Sequence, residues 1–169
     1  MRRLVLLAAF PPWVFPWPVG PPPRYTPPAR PAAVVAGAPV GDLRCGAPGK
    51  SFRVHVEVFV DRKVVIVPAG IGVSDKGCRY PVSTERPDGV MRVAPGVRLA
   101  DVFRVWGMQL GPERIGWFTS DGPVRAYVGG KLVHGPVAAI PLTPHAQIVL
   151  ELGGYVPPHP HFLFAGGDS

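Results

Sequence analysis

Five polar residues form the chain's most suggestive chemical set: Arg53, His55 and Glu57 within FRVHVEVFV, and Glu85 and Arg92 within STERPDGVMR. Alternation at every second residue is the period of a β-strand. Arg53, His55, Glu57 and Phe59 therefore share one face, while Val54, Val56, Val58 and Val60 take the other. Two guanidinium groups, an imidazole and two carboxylates together could bind an anionic or zwitterionic ligand. The competing expectation is an exposed sheet face whose charges only pair with one another, an arrangement that contributes little stability. Glu57 and Glu85 would suit two-carboxylate glycoside cleavage if their strands adjoin, yet nothing in the sequence selects that pair.

Other reactive side chains are less organised. Ser74, Ser83 and Ser120 lack a G-x-S-x-G elbow, and no Cys-His arrangement accompanies them. Gly70-Ile71-Gly72 is a lone G-x-G without the third glycine or following helix of a phosphate cradle. His159 and His161 have the i, i+2 spacing of a metal pair, but two ligands in an irregular tail do not make a site. His134 and His145 sit at a strand end and before the last strand, positions of capping or surface groups. No catalytic residue, metal set or cofactor is assigned, and a non-enzymatic protein is expected.

The elements that must position these residues follow from patterning. The first strand turns at Asp61-Arg62 and returns as Val64 to Val67, apolar on both faces and so expected in the sheet interior, stopped by Pro68. Residues 69 to 87 read as a loop. A strand is expected from Val90 to Ala94, after the turn-forming Asp88-Gly89. Leu99, Val102, Phe103, Trp106 and Leu110 then fall on one helical stripe, with Asp101 favouring the N-terminal end of the helix dipole and Gly107 placed for a left-handed cap. Val124 to Val128, Lys131 to Val133 and Gln147 to Leu152 complete the strands. Two hairpins, a helix between them and a returning last strand predict an α+β fold: a β-grasp-like mixed sheet with one short amphipathic helix on one face.

Proline and charge are unevenly spread. Eleven of the 24 prolines fall between Pro11 and Pro39, where fixed φ and missing donors oppose helix and sheet. Residues 1 to 39 also hold four arginines and no acid, leaving a net charge of only +3 on the remainder. Arg53, Lys63, Arg79, Arg92, Arg104 and Arg125 sit singly among apolar neighbours, which weakens a nucleic-acid reading. The opening MRRLVLLAAF has the order of a secretory n-region and h-region, and Val35-Ala36-Gly37-Ala38 fits small-x-small cleavage after Ala38. Pro11, Pro12, Pro16 and Pro18 oppose a membrane span of about 20 residues. At most, the Trp-rich segment would associate with a membrane surface. A misassigned start codon would instead leave the chain cytoplasmic. Cys45 and Cys78 lack C-x-x-C spacing; in an exported chain a structural disulfide is expected over free thiols.

The runs VHVEVFVDRKVVIVPAGIGV, CRYPVSTERPDGVMRV, RLADVFRVWG, VRAYVGGK and IPLTPHAQIVLELGGYVPPHP, in this order, resemble an uncharacterised family of exported bacterial proteins, most common in actinobacteria. The resemblance extends from about Leu43 to Phe164. Its members often carry H-x-H-x-H in the first strand and L-H-T-H-D-x-x-G-V-I-H-V in the third, which would suggest a metal or polar site on one sheet face. Here Ser51 and Arg53 replace two histidines of the first triplet and only His55 remains. Ser83 and Glu85 stand for the next two, Arg86 for the aspartate and Arg92 for the last histidine. Arginine has no usable lone pair and repels a cation, so imidazole-based metal chemistry does not carry over. The resemblance implies fold and export, and supplies no activity.

These readings combine into a signal-like segment and Pro-rich linker over residues 1–40, a single α+β domain over 41–156, and a Pro, His and aromatic tail over 157–169. The expected function is an exported binding or interaction domain of the bacterial cell envelope, with an envelope or extracellular partner and no nucleic acid. The alternative is a degenerate metal- or small-ligand-handling protein, possibly hydrolytic.

Overall fold

In the computed structural model, which describes residues 29–164, β1 (Phe52–Val60) is the axis of the molecule. Two strands share one edge of it in tandem. β2 (Lys63–Val65) pairs antiparallel with Val58–Val60, and β4 (Val90–Val93) pairs antiparallel with Phe52–His55. β3 (Val82–Thr84) lies outside β4. On the other edge of β1 runs β10 (Gln147–Leu152), parallel to it, with His55 opposite Gln147 and Val60 opposite Leu152. β8 (Arg125–Val128) and β9 (Lys131–Leu132) extend the sheet beyond β10, giving the order β3-β4-β1-β10-β8-β9 with β2 attached to β1. First and last strands paired in parallel at the centre, with antiparallel hairpins outward, make a β-grasp-like mixed sheet.

The hairpin turn between β1 and β2 places both Asp61 and Arg62 at positive φ, +48° and +65°, as a two-residue hairpin with right-handed twist requires. The returning run is not interior, contrary to its composition. β2 is a short edge strand in which Val65 points inward while Val64 and Ile66 are about half exposed, at 47% and 49%. β4 already occupies the rest of that edge of β1, which leaves β2 and the Ile66 that follows it at the margin of the sheet. β3 falls inside the expected loop. Its three residues are too few to show a period, and Thr84 anchors them by donating to the Pro68 carbonyl at 2.7 Å and accepting from Ile71 N–H at 3.0 Å.

The helix α2 (Leu99–Trp106) buries Leu99, Val102, Phe103, Val105 and Trp106 in one apolar core with Val54, Val56, Val58, Ile148, Leu150 and Leu152 of the central strands. The Asp101 carboxylate accepts the Arg98 backbone N–H at 2.9 Å, closing a capping box, and Gly107 ends the helix at φ +81°. Leu110 is not on the helical stripe. It begins a small second sheet formed by β5 (Leu110–Gly111), β6 (Arg114–Ile115) and β7 (Phe118–Thr119).

The proline-rich stretch contains a helix after all. Pro31 is the N-cap of α1 (Ala32–Ala36), in the proline-free interval before Pro39, and Val34 is fully buried in the core. Ser74 Oγ donates to the Val35 carbonyl, and the Tyr80 hydroxyl donates toward the Ala33 and Ala38 carbonyls. Cys45 and Cys78 are joined as a disulfide with Cα atoms 5.5 Å apart. Among the described residues, no helix is long and apolar enough to cross a membrane. The signal-like run and the prolines up to Pro28 lie outside the described residues.

Candidate functional site

The pairing register decides where the five polar residues meet. Arg53 lies directly opposite Arg92, and Arg92 opposite Ser83, so these three form a row across β1, β4 and β3. His55 is aligned with Gln147, Glu57 with Val149 and Phe59 with Glu151 on the parallel side. All project from the face opposite α2. That shared face is divided into a covered half and an open half.

Over the covered half the chain doubles back after Gly153-Gly154 and lays residues 156–164 along β1 and β10. Val156 N–H donates to Glu151 Oε1 at 3.1 Å. His159 Nδ1 lies 2.8 Å from Glu57 Oε2, the Phe162 ring stacks on His55 at 3.8 Å, and Phe164 approaches the Arg53 guanidinium at 5.5 Å. Phe162 and Phe164 thus hold the tail down, whereas Tyr155 is 57% exposed. Gln147 bridges the buried polar groups, its Oε1 2.6 Å from His55 Nδ1 and its Nε2 donating to Glu57 at 3.0 Å. His55 Nε2 lies 2.8 Å from the Asp88 carbonyl. Both ring nitrogens face oxygen acceptors, and the imidazole is only 4% exposed, so nothing of it is presented to a ligand. Gly89 is required here: at φ +76°, a Cβ would come within 2.5 Å of the Val56 carbonyl oxygen and 2.9 Å of His55 Nε2.

Further along this face, Glu151 is fully buried. Arg125 Nε donates to it at 3.1 Å, and Arg125 also donates to the Gly153 carbonyl at 3.0 Å, so the charge has both a counterion and hydrogen bonds. Burial pushes the neighbouring Tyr127 hydroxyl above its usual range, with the Glu151 charge adding to the effect and Arg125 opposing it.

The open half is basic. Arg92 and Glu85 are each more than half exposed, and Glu85 sits between Arg79 at 3.2 Å and Arg92 at 3.4 Å. Beside them is a depression of about 260 Å³ bounded by the 46–51 loop, residues 79–81 and the end of β4. Among the described residues its charged lining is Arg44, Lys50, Arg79 and Arg92, with no carboxylate. The disulfide fixes this arrangement from below, since Arg44 precedes Cys45 and Arg79 follows Cys78. Reciprocal hydrogen bonds between Gly46 and Arg79, both 3.0 Å, align the two segments. Neither a protein-family model, nor a curated protein, nor a solved structure matches this chain.

The five residues read from sequence therefore separate. His55 and Glu57 are engaged by Gln147 and the tail, Arg53 lies at the boundary beneath Phe164, and Arg92 and Glu85 are on the open side. Sequence reasoning passed over Arg44 and Lys50, which lie before the first strand, and treated Arg79 as isolated. Gln147 was readable in principle, being at the polar parity of the last strand with Glu151. Among the described residues, no group of three or more His, Cys, Asp and Glu side chains is placed to hold a metal ion.

Proposed function

We propose that the protein is an exported, non-enzymatic binding domain of the bacterial cell envelope that holds an anionic group in the depression between Arg44, Lys50, Arg79 and Arg92. The observation that carries this reading is the lining itself: among the described residues four cations line the depression, and the one carboxylate paired with two of them, Glu85, lies outside it. Arginine forks suit carboxylate and phosphate, and a rigid disulfide-backed frame lowers the ordering cost of binding. Export is supported by the basic then apolar N-terminal run and by the disulfide, which persists in oxidising compartments. Cleavage after Ala38 would detach Val34 from the core, so we place processing upstream of Pro31.

Titration with inorganic phosphate and with citrate, followed by thermal unfolding, tests the site. At a hundredfold excess over Kd, binding stabilises the fold by about 2.7 kcal/mol. That should raise Tm by roughly 5–10 °C. Arg79→Ala with Arg92→Ala should abolish the rise. Wild-type protein whose Tm ignores both anions would refute the reading. Intact mass of the native protein from separated host fractions tests export.

A further inference from the structure

We propose that the ligand is a linear polyanion, a polymer bearing phosphodiester or carboxylate groups at intervals, bound along a track of which the depression is one end. The inference rests on the anion-binding reading above and extends it. A second, smaller concavity of about 250 Å³ adjoins the first and shares Ser83 and Arg92 with it. It adds Arg53 and Arg86, with Glu85 and Asp88 as its acids. Among the described residues, the joined track therefore gathers six cations against two carboxylates. Both acids are already ion-paired, Glu85 with Arg79 and Arg92, and Asp88 with Arg86 at 2.9 Å.

This charge is concentrated. The chain after residue 39 carries a net charge of only +3, so the track's excess of four leaves the rest of that region net negative. Folding has drawn together cations that are scattered in sequence. At the centre, Arg53 and Arg92 stand directly opposite on adjacent strands. Like charges so placed repel, and a bound anion would relieve them.

Length excludes a single small anion as the full occupant. β4 alone, at about 3.3 Å per residue, is about 13 Å long. Arg86 lies beyond one end and Lys50 beyond the other, since Phe52 pairs with Val93 and Ser83 with Arg92. Nor does the track resemble a nucleic-acid platform. Among the described residues, Tyr80 is the only aromatic one lining it, and it is 4% exposed, so it offers no ring for base stacking.

The test measures binding of full-length protein to linear polyphosphate, polygalacturonate and inorganic phosphate across salt concentrations. With about five charges engaged, affinity for a matching polymer should fall with a log-log slope of about −3 to −4, roughly 60- to 250-fold between 50 and 200 mM salt. Inorganic phosphate, a single contact, should lose only about 2.6-fold. Arg86→Ala, outside the depression, should lower the polymer slope by about 0.7 and leave inorganic phosphate binding unchanged. Preference for polyphosphate or polygalacturonate identifies phosphate-borne or uronate-borne charge as the feature recognised. Polymers that bind no tighter than inorganic phosphate, with the same shallow slope, would overturn the track while leaving the depression's anion site standing. Failure of every anion would overturn both. Oligothymidylate binding more than about tenfold tighter than polyphosphate of equal charge, or binding confined to phosphatidylglycerol vesicles, would overturn the proposal in favour of nucleic acid or membrane.

Discussion

Replacing Cys45 and Cys78 together by serine separates two roles of the disulfide, constraint of the unfolded chain and support of the basic depression. The bond closes a loop of 33 residues. Chain-entropy treatment of a loop that long assigns it about 3.7 kcal/mol of stability at 25 °C. For a urea m-value of about 2 kcal/mol/M, the unfolding midpoint should drop by roughly 2 M. The native side should change little, because the reciprocal Gly46–Arg79 backbone hydrogen bonds remain to hold Arg44 and Arg79 together. The double variant should therefore bind inorganic phosphate within about threefold of wild type when folded, as expected of a crosslink that acts mainly on the unfolded state. The assay pairs urea unfolding followed by circular dichroism with phosphate titration at low temperature. A stability loss below about 1 kcal/mol, or abolished binding in a variant that unfolds at the wild-type midpoint, would refute the reasoning.

Four further outcomes are expected. Val34→Ala should destabilise the protein by about 1.5–3 kcal/mol in urea unfolding, and a wild-type midpoint would mean that α1 contributes nothing to the fold. Arg125→Leu leaves the fully buried Glu151 without its counterion and should cost roughly 3 kcal/mol, whereas adding Glu151→Leu should recover part of that loss; a double variant less stable than the single one would contradict the pairing. Phe162→Ala removes the ring stacked on His55 and should cost about 1 kcal/mol while increasing solvent exchange of the His55 ring protons by NMR; unchanged exchange would show that the tail does not shield the imidazole. Burial holds the Tyr80 and Tyr127 hydroxyls above the ordinary value of 10.0, so their neutral forms are favoured in the folded protein. Their stabilising contribution is complete below the unfolded-state value and is lost as pH rises through the higher folded values. Stability should accordingly fall steeply above about pH 10, and Tyr80→Phe should flatten that fall when unfolding is followed against pH.

How much of this was legible in sequence depended on run length and on distance along the chain. β10 was readable because a six-residue run containing Ile148, Val149, Leu150 and Leu152 precedes Gly153-Gly154, and α2 because Leu99, Val102, Phe103 and Trp106 share a stripe that Gly107 closes. β3 and the β5–β7 sheet were not, since two- or three-residue strands carry no period and depend on neighbours that patterning cannot supply. The apolar run at Val64 to Val67 misled for the opposite reason: composition implied burial on both faces, but the arrival of β4 left β2 a short edge. The covered half of the polar face was hidden because Glu57 meets His159 from 102 positions away. The basic track was hidden in the same way. Arg44, Arg79 and Arg92 look solitary until the Cys45–Cys78 link and the β3–β4 pairing bring them to one surface.

The parallel pairing of β1 with β10 also governs when the protein can fold during synthesis. His55 and Gln147 are separated by 92 positions, and every residue from His55 to Val60 has its central partner in the last strand. Closing so long a loop delays formation of the native pairing, which slows folding relative to chains dominated by local contacts. A ribosome that has released only the first two thirds of the chain has made β1 without the strand that completes its central hydrogen bonding. The sheet cannot close before β10 has been made, so the growing chain stays threadable until then. If the chain is exported as proposed, this connectivity supplies a delay between synthesis and folding.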